Sequence, residues 1–462
     1  MTTDLTKGSP MRQILRFSIP FLIGNLFQQF YNIVDMVIVG RTIDVYAYTA
    51  VGATGSLVWF ASGAVQALTI GFSAVTARYF GAKDEEGVKR SFATGLKLSA
   101  IISGVLAIFC ALFARQILEL LRTPDDLIDR SYRYIIWIFI GLVATALFNI
   151  LSNMIRALGD SKTPLYFLII ACVINIILDI VLIAGCGMDT DGAGLATVLA
   201  QLLSGVLCII YIKYKQPLLH VSARYFQRDK ALAVQMLKVG VPMAFLNMVL
   251  SVGSIIMQFV TNGLGTAYVA SFTTGGKVET FATQPLLSIG SALSVFTAQN
   301  YGAKKYKRVL VGIRQSVVLG VLWCIIAIVI LLSAGRLIVG LLAVDVTQNI
   351  VDNAYLYIVV NTLCTFVLVP LVMHKSALQP LGRTTWSMIS GFTEIGGRAG
   401  LSIFVMTLMS ERIAMISEQT GYVIMCFANP TAWLIGMLTV LVDYVHLRRD
   451  FKALAREEEN AE

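Results

Sequence analysis

The sequence predicts an all-α integral membrane protein of twelve transmembrane helices, arranged as two six-helix lobes related by a pseudo-two-fold axis. Three observations carry that prediction. Of the 462 residues, 57% are hydrophobic and only 14% are charged, against roughly 25% charged in soluble domains, so most of this surface is not built for water. Apolar runs recur along the whole chain, each close to the roughly 20 residues that cross a hydrocarbon core at 1.5 Å per residue. The second half of the chain also repeats the first.

The runs fall at 16–39, 50–77, 93–120, 133–155, 164–186, 193–213, 237–260, 268–297, 314–342, 352–377, 385–408 and 421–445, separated by short polar segments. The start, MTTDLTKGSPMRQIL, is polar and has no small-residue cleavage site before the first run; an uncleaved first helix is expected rather than a signal peptide. Cysteines stand singly at 110, 172, 186, 208, 324, 364 and 426 and never as a CxxC pair, so neither a disulfide framework nor a metal site is implied.

Lysine and arginine set the orientation, because cytoplasmic loops retain them. With the N-terminus inside, the residues falling on outer loops are Arg41, Arg115, Arg122, Arg130, Arg133, Arg336 and Arg412, a small share of the 36 lysines and arginines. The 6–7 loop is basic (Lys213, Lys215, Arg224, Arg228, Lys230, Lys238), whereas the 3–4 loop is acidic (Glu119, Asp125, Asp126, Asp129). Both termini are therefore expected in the cytoplasm, and short loops with minimal termini fit a bacterial inner (plasma) membrane. The net charge of +9 speaks of topology and contact with anionic membrane lipid, not of nucleic-acid binding.

The duplication has an offset of about 220 to 223 residues. LRFSIP at 15–20 matches LKVGVP at 237–242, TARYFGAK at 76–83 matches TAQNYGAK at 297–304, SYRYI at 131–135 matches AYLYI at 354–358, and ALGDSKT at 157–163 matches PLGRTTW at 380–386. Six spans is an even number, so both copies start on the same side and are related by an axis along the membrane normal. The expected organisation is a lobe at 1–215, a linker at 216–234, a second lobe at 235–447 and a charged tail at 448–462. Two lobes with a cleft between them suit alternating access. Prolines inside spans (Pro20, Pro242, Pro285, Pro370, Pro430) either serve packing or permit bends during transport.

Ionisable groups inside a bilayer cost about 2.5–3.5 kcal/mol each on insertion scales, so each needs a partner or a use. Span 1 carries Asn25, Gln28, Asn32 and Asp35, and span 5 carries Asn175 and Asp179; steps of three and four put each set on one helix face. Span 6 adds Thr197, Gln201 and Ser204. Counted along the helices, Asp35 and Thr197 lie about 6 Å and Asp179 about 11 Å from the outer ends of their spans. Two carboxylates with amide and hydroxyl oxygens suit Na+, which takes hard oxygen ligands, or a proton, which buried neighbouring acids hold. The alternative is that the acids only bond the asparagines or cap backbone, a costly convergence without a use.

In the second half, the positions equivalent to Asp35 and Asp179 fall near Met257 and Ser402, so the acid pair has no twin. Span 7 instead presents Asn247, Ser251, Ser254 and Gln258, plausible cleft lining. Gln28, Asn32, Gln201, Asn247, Gln258 and Glu279 form the candidate substrate-cleft set. Glu279 in span 8 either contacts a cationic substrate or pairs with Lys277, and Glu394 with Arg398, four apart in span 11, predicts an ion pair within one helix.

At YNIVDMVIVG (31–40), AVGAT (50–54), TARYFGAKD (76–84), IRALGDSKTP (155–164) and NIILDIVLI (175–183) the chain resembles the multidrug and toxic compound extrusion (MATE) family, and the resemblance runs along its whole length. It implies the MATE-like six-plus-six fold. It also implies a coupling-cation site at Asp35, Asn175, Asp179 and Thr197, the set that spacing and depth had gathered, with H+ or Na+ entry driving expulsion of cationic amphipathic compounds. Some branches of the family carry acids well inside spans 7 and 10, and this chain has none beyond Asp352 at the very start of span 10. No cofactor beyond the coupling ion is implied; the expected partners are small organic cations and membrane lipid, and the chain is expected to act as a monomer.

Rival functions fit less well. A lipid-linked oligosaccharide flippase of the same wider superfamily has to hold a diphosphate, which favours several buried basic groups, and the spans offer Lys277 and Arg398. An enzyme is not expected: His220, His374 and His446 are scattered, and no HExxH, GxSxG or metal-spaced cluster occurs.

Overall fold

The computed structural model describes residues 3–121, 123–227, 229–342, 347–409 and 415–461; Arg122, Arg228 and Arg412 of the charge count lie outside them. Among the described residues the chain is a succession of long helices: α1 Pro10–Thr42, α2 Gly55–Gly81, α3 Glu85–Leu112, α4 in two segments Asp125–Ile140 and Leu142–Ala157, α5 Lys162–Gly185, α6 Thr190–Lys215, α7 Lys230–Asn262, α8 Thr266–Gly302, α9 Tyr306–Leu342, α10 Gln348–Leu378, α11 Thr385–Met409 and α12 Ala428–Ala461. Each overlaps one apolar run expected from the sequence. Ten stretches cross a bilayer on length and composition, and α4 joins them as a pair bent by 43°. α11, less apolar because it carries Glu394 and Arg398, has 25 residues, which reach about 37 Å.

The ends differ from the apolar runs where capping and propensity act. α3 begins at Glu85 rather than near 93, because Asp84 accepts the Gly87 N–H (2.8 Å) and Glu85 and Glu86 occupy the first turn, where carboxylates oppose the helix dipole. It stops at Leu112, and the rest of the expected span is the short helix Ala114–Leu120. α12 runs on through the expected tail to Ala461, since FKALAREEENA is made almost wholly of strong helix formers.

The surface is that of a protein in lipid. Along α3, Ile101, Val105, Ile108 and Leu112 are 53%, 65%, 64% and 69% exposed, spaced four, three and four apart and hence on one face. A contiguous apolar stripe of that kind is a liability in water and ordinary against hydrocarbon.

Contacts divide the chain into two compact units, Met1–Lys7 with Ile19–Met248 and Ala298–Lys304, and Gly8–Ser18 with Val249–Thr297 and Lys305–Glu462. The division falls inside α7 and not in 216–234. The first unit is centred on Phe72, Ile150, Met154 and Met236, all buried. There a Cβ on Gly71 of α2 would meet the Gly240 backbone of α7, a close approach that only paired glycines permit. The same unit explains one repeated motif. A Cβ on Gly81 would collide with the Gln299 carbonyl, and one on Gly302 with the Arg78 carbonyl; Arg78 and Gln299, like Gly81 and Gly302, occupy equivalent repeat positions. The two GAK turns pack reciprocally, and both end in a left-handed lysine, Lys83 (φ 58°) and Lys304 (φ 59°). The second unit is built around Tyr357, Val405, Tyr422 and Met425, again all buried.

Candidate cation-coupling site

Three helices of the first unit supply the site. Asp35 (α1), Asn175 and Asp179 (α5) are buried, at 5%, 1% and 0% exposure, and Thr197 (α6) is half-buried. The carboxyl groups of Asp35 and Asp179 lie within interaction reach of each other, and two buried acids so placed disfavour the doubly charged state. Oδ1 of each lies buried with no hydrogen-bond partner. The Asn175 amide, oriented to satisfy both neighbours, donates to Asp179 Oδ2 (3.2 Å) and accepts the Thr197 N–H (3.2 Å). The structure thus brings Asp35, Asn175, Asp179 and Thr197 together.

Two tyrosines belong to the same cluster and were missed by sequence reasoning. Tyr31, one turn before Asp35 on α1, hydrogen-bonds Thr197 and interacts electrostatically with both acids; buried Tyr134 of α4 interacts with both acids as well. Tyr31 was findable, since it lies four residues from Asp35 on the same face. Nothing local marks Tyr134.

Two backbone features shape the site. From Ile180 to Gly185, directly after Asp179, α5 winds as a π-helix, with the Cys186 N–H reaching back to the Val181 carbonyl (2.9 Å); such wide turns recur at functional positions. α4 bends at Gly141, where a Cβ would run into the Val198 side chain, next to Thr197. The missing side chain lets α6 come close at the level of the site. Beyond α1, Arg130 binds Asp44 (2.6 Å) and Asp189 (3.2 Å), which in turn accept the N–H groups of Ala47 (2.7 Å) and Thr190 (2.9 Å) at the starts of the short helix Val45–Ala53 and of α6. The Arg130 guanidinium, with the Ala47 N–H, holds the Asp44 carboxyl below the usual carboxylate range.

The cleft candidates are placed separately. In the first unit Gln28 is half-buried and Asn32 exposed on α1, Gln201 has a buried Oε1 without a hydrogen-bond partner, and Asn247 Oδ1 lies 2.6 Å from where a Cβ on Gly63 would be. In the second unit Gln258 donates to Asn262 (2.8 Å).

Two expectations for the second unit need correction. Glu394 does not pair with Arg398: its carboxylate binds Lys375 of α10 and the Ser390 hydroxyl (3.0 Å), while Arg398 Nε donates to Asn429 (3.0 Å). Glu279 does not pair with Lys277, which points outward; it accepts from the Tyr357 hydroxyl and lies 3.4 Å from Asn429 Nδ2. Positions four apart make a helical ion pair available, but a cation arriving from a neighbouring helix competes for the acid. Asn429 thus bridges Glu279 and Arg398 through its two amide ends.

The MatE family model matches residues 20–181 and 242–417. The chain is 32% identical over 325 residues, 69% of its length and 70% of the relative's, to the probable multidrug resistance protein YoeA of Bacillus subtilis. The chain belongs to the MATE family. MATE proteins are multi-pass transporters, not enzymes. The multidrug export protein MepA of Staphylococcus saprophyticus is 25% identical, over 73% of this chain and 75% of that one. Among solved structures, a MOP-superfamily transporter from Pyrococcus furiosus superposes with a TM-score of 0.87 at 19% identity, covering 98% of this chain and 99% of that one. A MATE transporter in a bent conformation gives 0.86 at 19%, covering 99% of each chain. At that identity the likeness concerns the fold.

Proposed function

We propose that this MATE protein is a secondary active multidrug exporter that exchanges cationic amphipathic compounds for H+ or Na+ by alternating access, with Asp35, Asn175, Asp179 and Thr197 as its coupling site. The observation that carries this reading is the buried contact between the Asp35 and Asp179 carboxyls, each with an orphaned oxygen. Emptied of cation, the pair holds two like charges in a low-dielectric setting; loaded, it is neutral or nearly so. Cation entry therefore changes the helix arrangement that costs least, and Asp35, Asp179 and Thr197 transmit that change to α1, α5 and α6. Tyr31 holds Thr197 in place from the α1 side. The carboxyl-to-carboxyl geometry suits a shared proton, while the free oxygens with the Thr197 hydroxyl suit Na+.

The names of the related multidrug resistance and export proteins support a drug substrate. The test is efflux of a fluorescent cationic dye from proteoliposomes under an imposed pH gradient and, separately, an imposed Na+ gradient. The ion whose gradient drives efflux is the coupling ion; failure of both gradients refutes the antiport reading.

A further inference from the structure

Away from the acid pair, the first unit contains a cavity of about 720 Å³ where α3 meets the segment Ala223–Phe226 and the start of α7. Its polar wall includes Glu86, Arg90, Arg224, Asp229 and Lys230. A second cavity of about 400 Å³ shares Asp229 and Lys230 with it and continues along Lys97, Ile101, Phe226 and Val234. Together they form one passage, charged at one end and apolar at the other.

The charges do not cancel. Asp229 accepts the Leu232 N–H (3.1 Å) and binds Arg90, and these contacts hold its carboxyl below the usual range, so it stays ionised. Glu86 accepts from Tyr225 (2.9 Å) and lies 3.9 Å from Arg224. Lys97 and Lys230 have no ion pair among the described residues, leaving two ammonium groups in excess. The apolar end has an evident neighbour: Ile101 is the first residue of the outward-facing α3 stripe, Lys97 stands one turn before it, and Phe226 and Val234 are 39% and 49% exposed. A ligand here meets cations with its head and hydrocarbon with its tail. A free inorganic anion uses only the first half of that wall.

We propose that this passage binds an anionic phospholipid, its phosphodiester against Lys97 and Lys230 and its acyl chains along Ile101, Phe226 and Val234. Long lysine stems suit this placement, since they cover apolar surface while keeping the ammonium at the headgroup level. Such a lipid would wedge the inter-lobe segment against α3.

The test uses the delipidated full-length protein in a neutral detergent, titrated in native mass spectrometry with phosphatidylglycerol, phosphatidylcholine or inorganic phosphate. Lys97→Gln/Lys230→Gln is compared with Lys213→Gln/Lys215→Gln, which removes equal charge from the last turn of α6 outside the cavity. The expected result is a saturable phosphatidylglycerol adduct that the first variant weakens roughly 25-fold, about fivefold per lysine, and the control leaves unchanged. Equal binding of phosphatidylcholine, equal loss in the control, or phosphate competing at the same concentration as the lipid each overturns the proposal. Should the variant not purify, the comparison of the three ligands on the unaltered protein still decides.

Discussion

Asp35→Asn tests the coupling scheme most directly. The substitution keeps the shape of the side chain and its capacity to hydrogen-bond Asp179, so the bundle should assemble as before, but it removes one of the two charges that a cation neutralises. Two like charges within interaction reach of each other repel by about 4 kcal/mol at an effective dielectric constant of 20, which corresponds to roughly a thousandfold in cation affinity. Cation binding couples transport to the ion gradient, which supplies the energy. In one-for-one exchange with a singly charged dye no net charge moves, so the chemical gradient of the ion does the work: a roughly fiftyfold ion gradient stores about 2.3 kcal/mol and sustains a substrate gradient of up to roughly fiftyfold. In proteoliposomes with an imposed ion gradient, the unaltered protein should therefore build a gradient of that order. The Asp35→Asn variant should only equilibrate the dye, with unchanged circular dichroism and an unfolding temperature close to the original. Driven efflux at the original rate from a folded Asp35→Asn variant refutes the reasoning.

Four further outcomes follow from the geometry. Lys375→Met strands the buried Glu394 carboxylate and should cost about 3–5 kcal/mol of stability, most of it restored in the double variant Lys375→Met/Glu394→Met, as read from thermal unfolding in detergent. Gly81→Ala places a methyl group on the Gln299 carbonyl and should destabilise by about 3 kcal/mol. Gly104→Ala, with nothing within 4 Å of the new Cβ, should instead stabilise by up to about 1 kcal/mol. Because the Asp44 carboxyl is held below its ordinary range, its link to Arg130 stabilises the fold above the unfolded-state value near about 3.9 and is lost as pH falls through the lowered folded value. The melting-temperature difference between the unaltered protein and Arg130→Met should be constant above pH ~5 and shrink below pH ~4.

What the sequence determined by itself is whatever one helix decides alone. Hydrophobic period and run length marked the membrane helices, since crossing hydrocarbon requires about 20 apolar residues whatever the neighbours. Spacing of four marked Asn175 with Asp179 and the polar face of α1, and counting the rise per residue placed Asp35, Asp179 and Thr197 in the outer half of their spans. Tertiary structure decided every question of rotation and partnership. It set Asp35 against Asp179, brought in Tyr31 and Tyr134, gave Glu394 to Lys375 in place of Arg398, and joined Glu279 to Tyr357. It also folded the two GAK turns onto each other and opened the passage beside α3. The reason is physical: periodicity states which residues share a face, but which face meets which neighbour depends on side-chain packing between helices far apart in the chain, and no local pattern records that.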